Sequence, residues 1–173
     1  MRHPARLYCQ RQRRTNIGIG RRGLLQLAGC GFEPVYGPEG AGNLLQGQVA
    51  LASPDGELDY LFNRRFEERM GRGAGGAYTL TVDISTERAS LGTTSAGSTT
   101  RYRLDGSADY TLREAGFEAP VFQGSTRAFT GYSATGSTVA TLAAERDARE
   151  RLMVILADQV IDEILLNADP RPA

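Results

Sequence analysis

Apolar and polar residues alternate in three stretches of the chain, which predicts three half-buried β-strands. A weaker alternation over residues 44–51 predicts a further strand ahead of them. Gly106 interrupts the apolar side of the middle stretch, where we expect a β-bulge. The three clear strands cover residues 78–84, 101–113 and 121–132.

A helical period appears twice and predicts two amphipathic helices. The first begins at Ser53-Pro54, a capping hydroxyl followed by a proline that suits a first turn, and ends in the glycines of residues 71–76. The second, introduced by Ser137, covers residues 139–166. The expected buried positions are Leu58, Leu61, Phe62, Phe66 and Met70 in the first helix and Val139, Ala143, Met153, Ala157, Val160, Ile161 and Ile164 in the second.

The element order is therefore β-α-β-β-β-α, and we predict an α+β fold with two helices packed on one face of a four-stranded mixed sheet. If the strands on either side of the first helix are parallel neighbours, their crossover should be right-handed. The other sheet face is polar and carries charges of both signs. Residues 91–100, rich in Gly, Ser and Thr, predict a mobile loop between two strands.

The N-terminal part of the chain is typical of an exported lipoprotein. Leu27, Ala28 and Gly29 precede Cys30 as in a lipobox, and a basic segment with Arg21-Arg22 precedes a short apolar run. The arginine pair also resembles a twin-arginine export signal. We therefore expect a leader over residues 1–29, a lipidated tether over 30–43, one α+β domain over 44–168 and a disordered tail over 169–173. The alternative is a cytosolic protein with a disordered basic arm and an inert cysteine.

Charge is distributed unevenly along the chain. All 20 basic residues are arginines, and seven of them fall within the first 29 residues, which contain no acid. From Cys30 onward, 13 arginines face 20 acidic residues, so the net charge is 13 − 20 = −7. An acidic body argues against binding to nucleic acid and against adsorption to anionic lipid by bulk charge.

Catalytic chemistry is poorly supported. The only histidine, His3, lies in the predicted leader, which excludes histidine-based triads and a structural zinc site from the remainder. Ser133 sits in a stretch similar to a nucleophile elbow but lacks its second glycine. Of two Gly-x-Gly-x-x-Gly matches, the one at residues 18–23 lies in the predicted leader, and the one at residues 71–76 ends a helix and precedes a strand, the reverse of the order in a dinucleotide site. We expect no enzyme activity, no cofactor and no metal.

Residues 145–151 form a run of alternating charges at the start of the long helix. We interpret it as a solvated face with pairs four residues apart. The alternative is a docking surface for a partner.

Several motifs together resemble the alphaproteobacterial LptE family of lipopolysaccharide-assembly lipoproteins, over residues 27 to about 166. They are Cys30-Gly31-Phe32 with Pro34-Val35-Tyr36-Gly37, Arg101-Tyr102-Arg103-Leu104, Phe129-Thr130-Gly131-Tyr132-Ser133-Ala134-Thr135-Gly136, and Ala143-Ala144-Glu145-Arg146-Asp147-Ala148 with Arg151-Leu152.

The resemblance implies an outer-membrane lipoprotein on the periplasmic side, acylated (palmitate) on Cys30, that plugs the LptD β-barrel translocon, supports its assembly and assists lipopolysaccharide transport to the outer leaflet. Gly31 is consistent with outer-membrane sorting. The alternative function is a soluble periplasmic binding or scaffold module without a barrel partner.

The resemblance also implies basic residues that contact lipopolysaccharide, but residues 92–99 carry no charge and Ala143-Ala144 occupy the second basic position. Arg101, Arg103 and Arg146 are the nearest substitutes, because guanidinium groups pair well with phosphate. Alternatively, these are surface arginines paired with neighbouring carboxylates.

Overall fold

The computed structural model describes residues 40–93 and 99–168, which belong to one compact unit. The predicted leader, the lipobox with Cys30, most of the tether, residues 94–98 of the predicted loop and the C-terminal tail lie outside the described residues. The elements are α1 (Ala41–Leu45), β1 (Val49–Leu51), α2 (Glu57–Met70), β2 (Tyr78–Thr93), β3 (Thr99–Glu114), β4 (Pro120–Ser133) and α3 (Thr138–Asn167).

The four strands form one mixed sheet in the order β1-β2-β3-β4. The short β1 runs parallel to β2, whereas β2, β3 and β4 are successive antiparallel neighbours. The predicted α+β fold is confirmed, with one additional helix, α1, at its start. The prediction of a strand over residues 44–51 was only partly right, because Leu44 and Leu45 are helical and the strand has three residues.

Helices α2 and α3 cover the inner face of the sheet, and the core lies between these two layers. Leu80 and Leu112 of the sheet and Phe62, Leu152 and Leu156 of the helices are fully buried. Burying each such side chain contributes about 1.5–3 kcal/mol, so this layer supplies most of the driving force for folding. Along each long strand, the residues of the apolar series point to the inner face and those of the polar series point to the outer face.

Gly106 was wrongly expected to form a bulge. Its pairing is regular on both sides, opposite Thr86 and Ala128. The missing side chain instead makes room for α3, since a Cβ here would lie 2.9 Å from Leu152 Cδ2 and 3.2 Å from Leu156 Cδ1. Irregular pairing occurs instead between Ser90 and Thr93, near the end of the β2–β3 hairpin, and between Leu112 and Arg113, where β3 pairs with β4.

The start of α2 was also predicted wrongly. Gly56, not Ser53, is the N-cap residue, and it offers no side-chain cap. The Asp59 carboxylate accepts a hydrogen bond from the Asp55 backbone N–H at 3.2 Å, which ties the segment before the helix to its first turn. The predicted end is confirmed, because Gly71, with φ +78°, terminates the helix.

Helix α3 is capped as expected by Ser137, whose Oγ accepts a hydrogen bond from the Ala140 N–H at 3.3 Å. The predicted buried stripe is right from Met153 onward but wrong at its beginning. Val139 is 77% exposed and Ala143 is also exposed. The first three turns therefore extend along the sheet without a core contact, and burial begins at Ala148.

Charged hydrogen bonds join the two helices. Asp158 of α3 accepts two hydrogen bonds from Arg65, at 2.8 and 3.0 Å, and one from Arg69 at 3.2 Å. Burial alone would raise the pKa of the Asp158 carboxyl, but the hydrogen bonds from both arginines outweigh it and lower that pKa below its ordinary value. The cluster fixes α2 against α3.

Polar contacts also tie α3 to the sheet. Tyr110 donates a short hydrogen bond to Glu163, and Thr126 donates to Gln159 at 2.9 Å. Burial raises the pKa of the Tyr110 hydroxyl well above its ordinary value, and the contact with Glu163 adds to this effect. The tyrosine therefore acts as a neutral donor at physiological pH.

Candidate functional site

The outer face of the sheet, which points away from both helices, is the main candidate surface. Alternation along the strands places charged, hydroxyl and amide side chains there, together with the aromatic ring of Phe129. The charged members are Asp83, Glu87, Arg101, Arg103, Asp105, Asp109, Arg113 and Arg127.

Arg103 forms the best-defined cluster on this face. Its Nε lies 2.7 Å and its Nη2 2.6 Å from Asp105 Oδ1, and its guanidinium carbon lies 4.3 Å from the centre of the Phe129 ring. The ring is 62% exposed, so the pair is accessible to a partner. Because Asp105 already neutralises Arg103, a phosphate would have to compete for this guanidinium. The alternative of a surface arginine paired with a carboxylate therefore holds for Arg103.

Arg101 is in a different situation. It is exposed, and the described part of the chain contains no ion-pair partner for it. Together with Leu91, Tyr102 and Ser133 it lines a shallow cavity where β2, β3 and β4 end. A free guanidinium beside apolar and aromatic groups suits an amphipathic anion such as a lipid phosphate.

Arg146 lies on α3, in the layer that covers the inner face, so the sheet separates it from Arg101 and Arg103. It too has no ion pair with a described residue, although its neighbours do. Glu145 pairs with Arg149 at 2.5 Å and Asp147 with Arg151 at 3.0 Å. The predicted pairs four residues apart are confirmed, but the face is not solvated throughout, because the Glu145 side chain is only 14% exposed.

Arg88, which lies on the inner side of β2, is a residue that the analysis of the sequence missed. Its guanidinium carbon lies 5.0 Å from the centre of the Tyr102 ring, and Tyr102 stacks on Tyr132 at 5.3 Å. Nη1 lies 3.8 Å from Glu145, which links β2 to the start of α3. A charged residue at an inward strand position was the signal that could have identified it.

Catalytic arrangements are not apparent among residues 40–93 and 99–168. Ser133 Oγ lies 2.9 Å from Thr135 Oγ1 and 3.4 Å from the Thr100 carbonyl oxygen, neither of which is a general base. Within the same ranges, no three Asp, Glu, His or Cys side chains are grouped so as to hold a metal ion.

None of the helices described combines the length and the apolar character needed to cross a bilayer.

Comparison with solved structures shows the same fold in bacterial proteins described as lipoproteins. A protein of Caulobacter crescentus CB15 described as a lipoprotein superimposes with a TM-score of 0.60 and 20% identity, covering 73% of this chain and 94% of that one. The rare lipoprotein B of Shewanella oneidensis superimposes with a TM-score of 0.51 and 19% identity, covering 68% of this chain and 92% of that one. The minor lipoprotein of Acinetobacter baumannii superimposes with a TM-score of 0.51 and 16% identity, covering 72% of this chain and 94% of that one.

No curated protein sequence matches the chain. The model of the family LptE, described as lipopolysaccharide-assembly, does match the chain, over residues 47–164. These residues run from just before β1 to near the end of α3. The chain therefore belongs to the LptE lipopolysaccharide-assembly family.

Proposed function

We propose that the protein is an outer-membrane lipoprotein that plugs an LptD-type β-barrel, supports the assembly of that barrel and assists lipopolysaccharide transport to the outer leaflet. The observation that carries the proposal is the family match over residues 47–164, which includes the whole sheet and most of α3. The role is non-enzymatic and requires no cofactor or metal.

The shape and polarity of the domain support a position inside a barrel. One face of the sheet is closed by helices, while the other presents charges of both signs and hydroxyl groups. The interior of a large outer-membrane barrel is polar and hydrated. A polar sheet face can contact such a wall through hydrogen bonds and ion pairs without leaving apolar surface in water.

The lipid on Cys30 is the proposed membrane anchor. A single acyl chain gives only marginal, reversible membrane binding, so stable anchoring needs at least two chains or a second attachment. The proposed barrel supplies such an attachment. The anchor and the plug therefore act together to hold the domain at the periplasmic side of the outer membrane.

The three candidate arginines for lipopolysaccharide contact differ in whether their guanidinium groups are paired. Arg101 and Arg146 carry guanidinium groups without ion-pair partners in the described part of the chain, whereas Arg103 is neutralised by Asp105. We assign Arg101 as the first candidate for a phosphate contact because it also borders a cavity lined by Leu91 and Tyr102.

The decisive experiment is purification of the tagged full-length protein from detergent-solubilised envelopes, with mass spectrometry of its N-terminus and its partners. We expect an acylated Cys30 and a co-purifying barrel. Cys30→Ser should release the protein from the membrane fraction, while Cys9→Ser, in the predicted leader, should not. An intact, unacylated N-terminus in envelopes would contradict the lipid anchor. Absence of any barrel would favour the soluble periplasmic binding or scaffold module.

A further inference from the structure

Strand β2 has a long edge that no described strand covers. It runs for 16 residues, Tyr78–Thr93, and pairs with β3 along almost all of them. On its other side, β1 pairs only with Tyr78, Thr79 and Leu80. From Ser85 to Arg88 the side chains along this edge are exposed.

The direction of the backbone groups along this edge follows from two hydrogen bonds. The Tyr78 N–H donates to the Gln48 carbonyl at 3.0 Å, on the β1 side, and the Ala77 carbonyl accepts from the Ala115 N–H at 2.7 Å, on the β3 side. Backbone groups of successive strand residues point to opposite sides. The N–H and C=O groups of even-numbered residues therefore face away from β3.

Ile84, Thr86 and Arg88 are thus the residues whose backbone groups face the open edge. Within the described ranges, no backbone or side-chain group outside β2 forms a hydrogen bond with these backbone groups. A row of free donors and acceptors of this kind is a template for an additional strand.

Charge indicates what kind of strand would fit. Asp83 and Glu87 lie on the outer side of this same edge, both exposed and both without an ion pair among the described residues. Asp83 stands directly opposite another carboxylate, Asp109, and like charges opposite each other in a sheet are destabilising. Glu87 stands opposite Asp105, whose charge is balanced by Arg103, so no cation of the described residues is left to balance Glu87. A neighbouring strand with basic side chains at two outward positions would relieve the repulsion at Asp83 and supply an ion-pair partner for Glu87.

We propose that the β2 edge from Ile84 to Arg88 accepts an extended segment of the barrel partner, whose Lys or Arg side chains face Asp83 and Glu87. The inference rests on the proposed barrel partnership and identifies the surface and the chemistry of the contact. A second copy of this chain fits poorly, because antiparallel pairing centred on Ser85 would place Asp83 of one copy opposite Glu87 of the other.

Proline substitution tests the edge selectively. Thr86→Pro removes an N–H that faces the open edge and leaves the β2–β3 hydrogen bonds in place. Ser125→Pro is the matched control. The alternation of backbone groups, followed from β2 through β3 to β4, points the Ser125 N–H toward the outer edge of β4, which is the opposite edge of the sheet. The variants are co-expressed with the barrel as full-length proteins, and each is checked for native folding by circular dichroism.

A photo-reactive benzoylphenylalanine at Ser85 supplies the direct readout. We expect crosslinks to one continuous barrel segment that carries basic residues, lost in Thr86→Pro and retained in Ser125→Pro. Thr86→Pro should also weaken co-purification by about tenfold, the loss expected for one or two hydrogen bonds. The double variant Asp83→Asn, Glu87→Gln does not alter the backbone and should also weaken co-purification with the barrel. It replaces Thr86→Pro as the test if Thr86→Pro misfolds.

The outcomes separate the two proposals. If the wild-type protein recovers no barrel, both the barrel partnership and the strand addition fail. If the barrel co-purifies undiminished with the Asp83→Asn, Glu87→Gln variant, or if Ser85 yields no crosslink to it, the strand addition is wrong while the partnership stands.

Discussion

Gly106 allows β3 and α3 to approach each other closely. Its ideal Cβ would meet the ends of two leucine side chains, Leu152 and Leu156, which can shift slightly but are themselves fully buried. We expect Gly106→Val to destabilise the domain by about 1–3 kcal/mol through overpacking. Thr111→Val, on the outer side of the same strand, should have little effect. Chemical denaturation of both variants checks this, and equal midpoints would contradict the close approach.

Asp158 is the acceptor that Arg65 and Arg69 of α2 share, beside the further pairs Arg69–Asp162 and Arg64–Glu150 between the same helices. Asp158→Asn leaves Arg65 and Arg69 partly buried with a weaker partner, and we expect a loss of about 1–3 kcal/mol in the free energy of unfolding. The control is Asp147→Asn on the same helix, where an exposed pair with Arg151 should be worth less than about 1 kcal/mol. Urea unfolding at neutral pH distinguishes the two.

The lowered pKa of Asp158 also predicts how stability depends on pH. Its carboxyl is harder to protonate in the folded than in the unfolded chain, so the unfolded state binds more protons in acid. Its contribution is therefore fully present above the unfolded pKa of about 3.9 and is lost as the pH falls through the lower folded pKa. Asp158→Asn should lose less stability than the wild type over this acidic range. If the urea midpoints of the wild type and of Asp158→Asn changed in parallel from pH 7 to pH 2, the lowered pKa would not belong to Asp158.

At the scale of elements, the two halves of α3 differ in their contacts with the core. Residues before Ala148 have no buried apolar side chain, whereas Leu152 and Leu156 are fully buried. Ser137→Ala removes the N-cap, a change worth about 0.5–2 kcal/mol to the helix. Because the first turns lack core contacts, we expect the loss to appear as local fraying rather than as a lower global stability.

Hydrogen exchange of the Ser137→Ala variant measures this difference. Amides of the first three turns of α3 should exchange faster, while those after Ala148 stay protected. Leu152→Ala is the contrasting change, expected to cost about 2–5 kcal/mol and to accelerate exchange throughout the domain. Uniform acceleration in Ser137→Ala would show that the N-terminal turns are coupled to the core.

Local patterns predicted the elements that are long enough to show a period. Strands β2, β3 and β4 and helices α2 and α3 were all found from alternation or helical spacing. Helix α1 has five residues and β1 has three, so neither repeats its pattern often enough to be recognised. The exposure of Val139 could not be predicted either, because a period identifies a face but not whether another element covers it.

The same limit applies to the candidate site. Alternation correctly places Arg101 and Arg103 on one side of β3, but only the packing of α3 puts Arg146 in the opposite layer. The pairing of Arg103 with Phe129 joins neighbouring strands, and its geometry depends on a register set by the β3–β4 turn. The open edge of β2 likewise follows from the shortness of β1, which no local pattern revealed.

At the scale of the whole molecule, the core of the described residues extends back to helix α1. Leu45 is fully buried, and the Gly40 carbonyl accepts hydrogen bonds from the Asn43 and Leu44 N–H groups at 3.0 and 3.2 Å. The Gly47 N–H then donates to the Met70 carbonyl at 2.7 Å, which ties this segment to the end of α2. The domain therefore includes α1, although a boundary at residue 44 was expected from sequence.

Truncation tests that limit. A chain that begins at Gly40 should unfold at nearly the same urea concentration as one that begins at Cys30, because the contacts of α1 are retained. A chain that begins at Leu44 loses the Gly40 carbonyl, and with it the first turn that positions Leu45, so part of the roughly 2–5 kcal/mol associated with such a buried leucine should be lost. Leu45→Ala in the longer chain gives the upper limit of that loss. Equal stability of the chains that begin at residues 40 and 44 would show that α1 is dispensable and that the boundary expected from sequence was right.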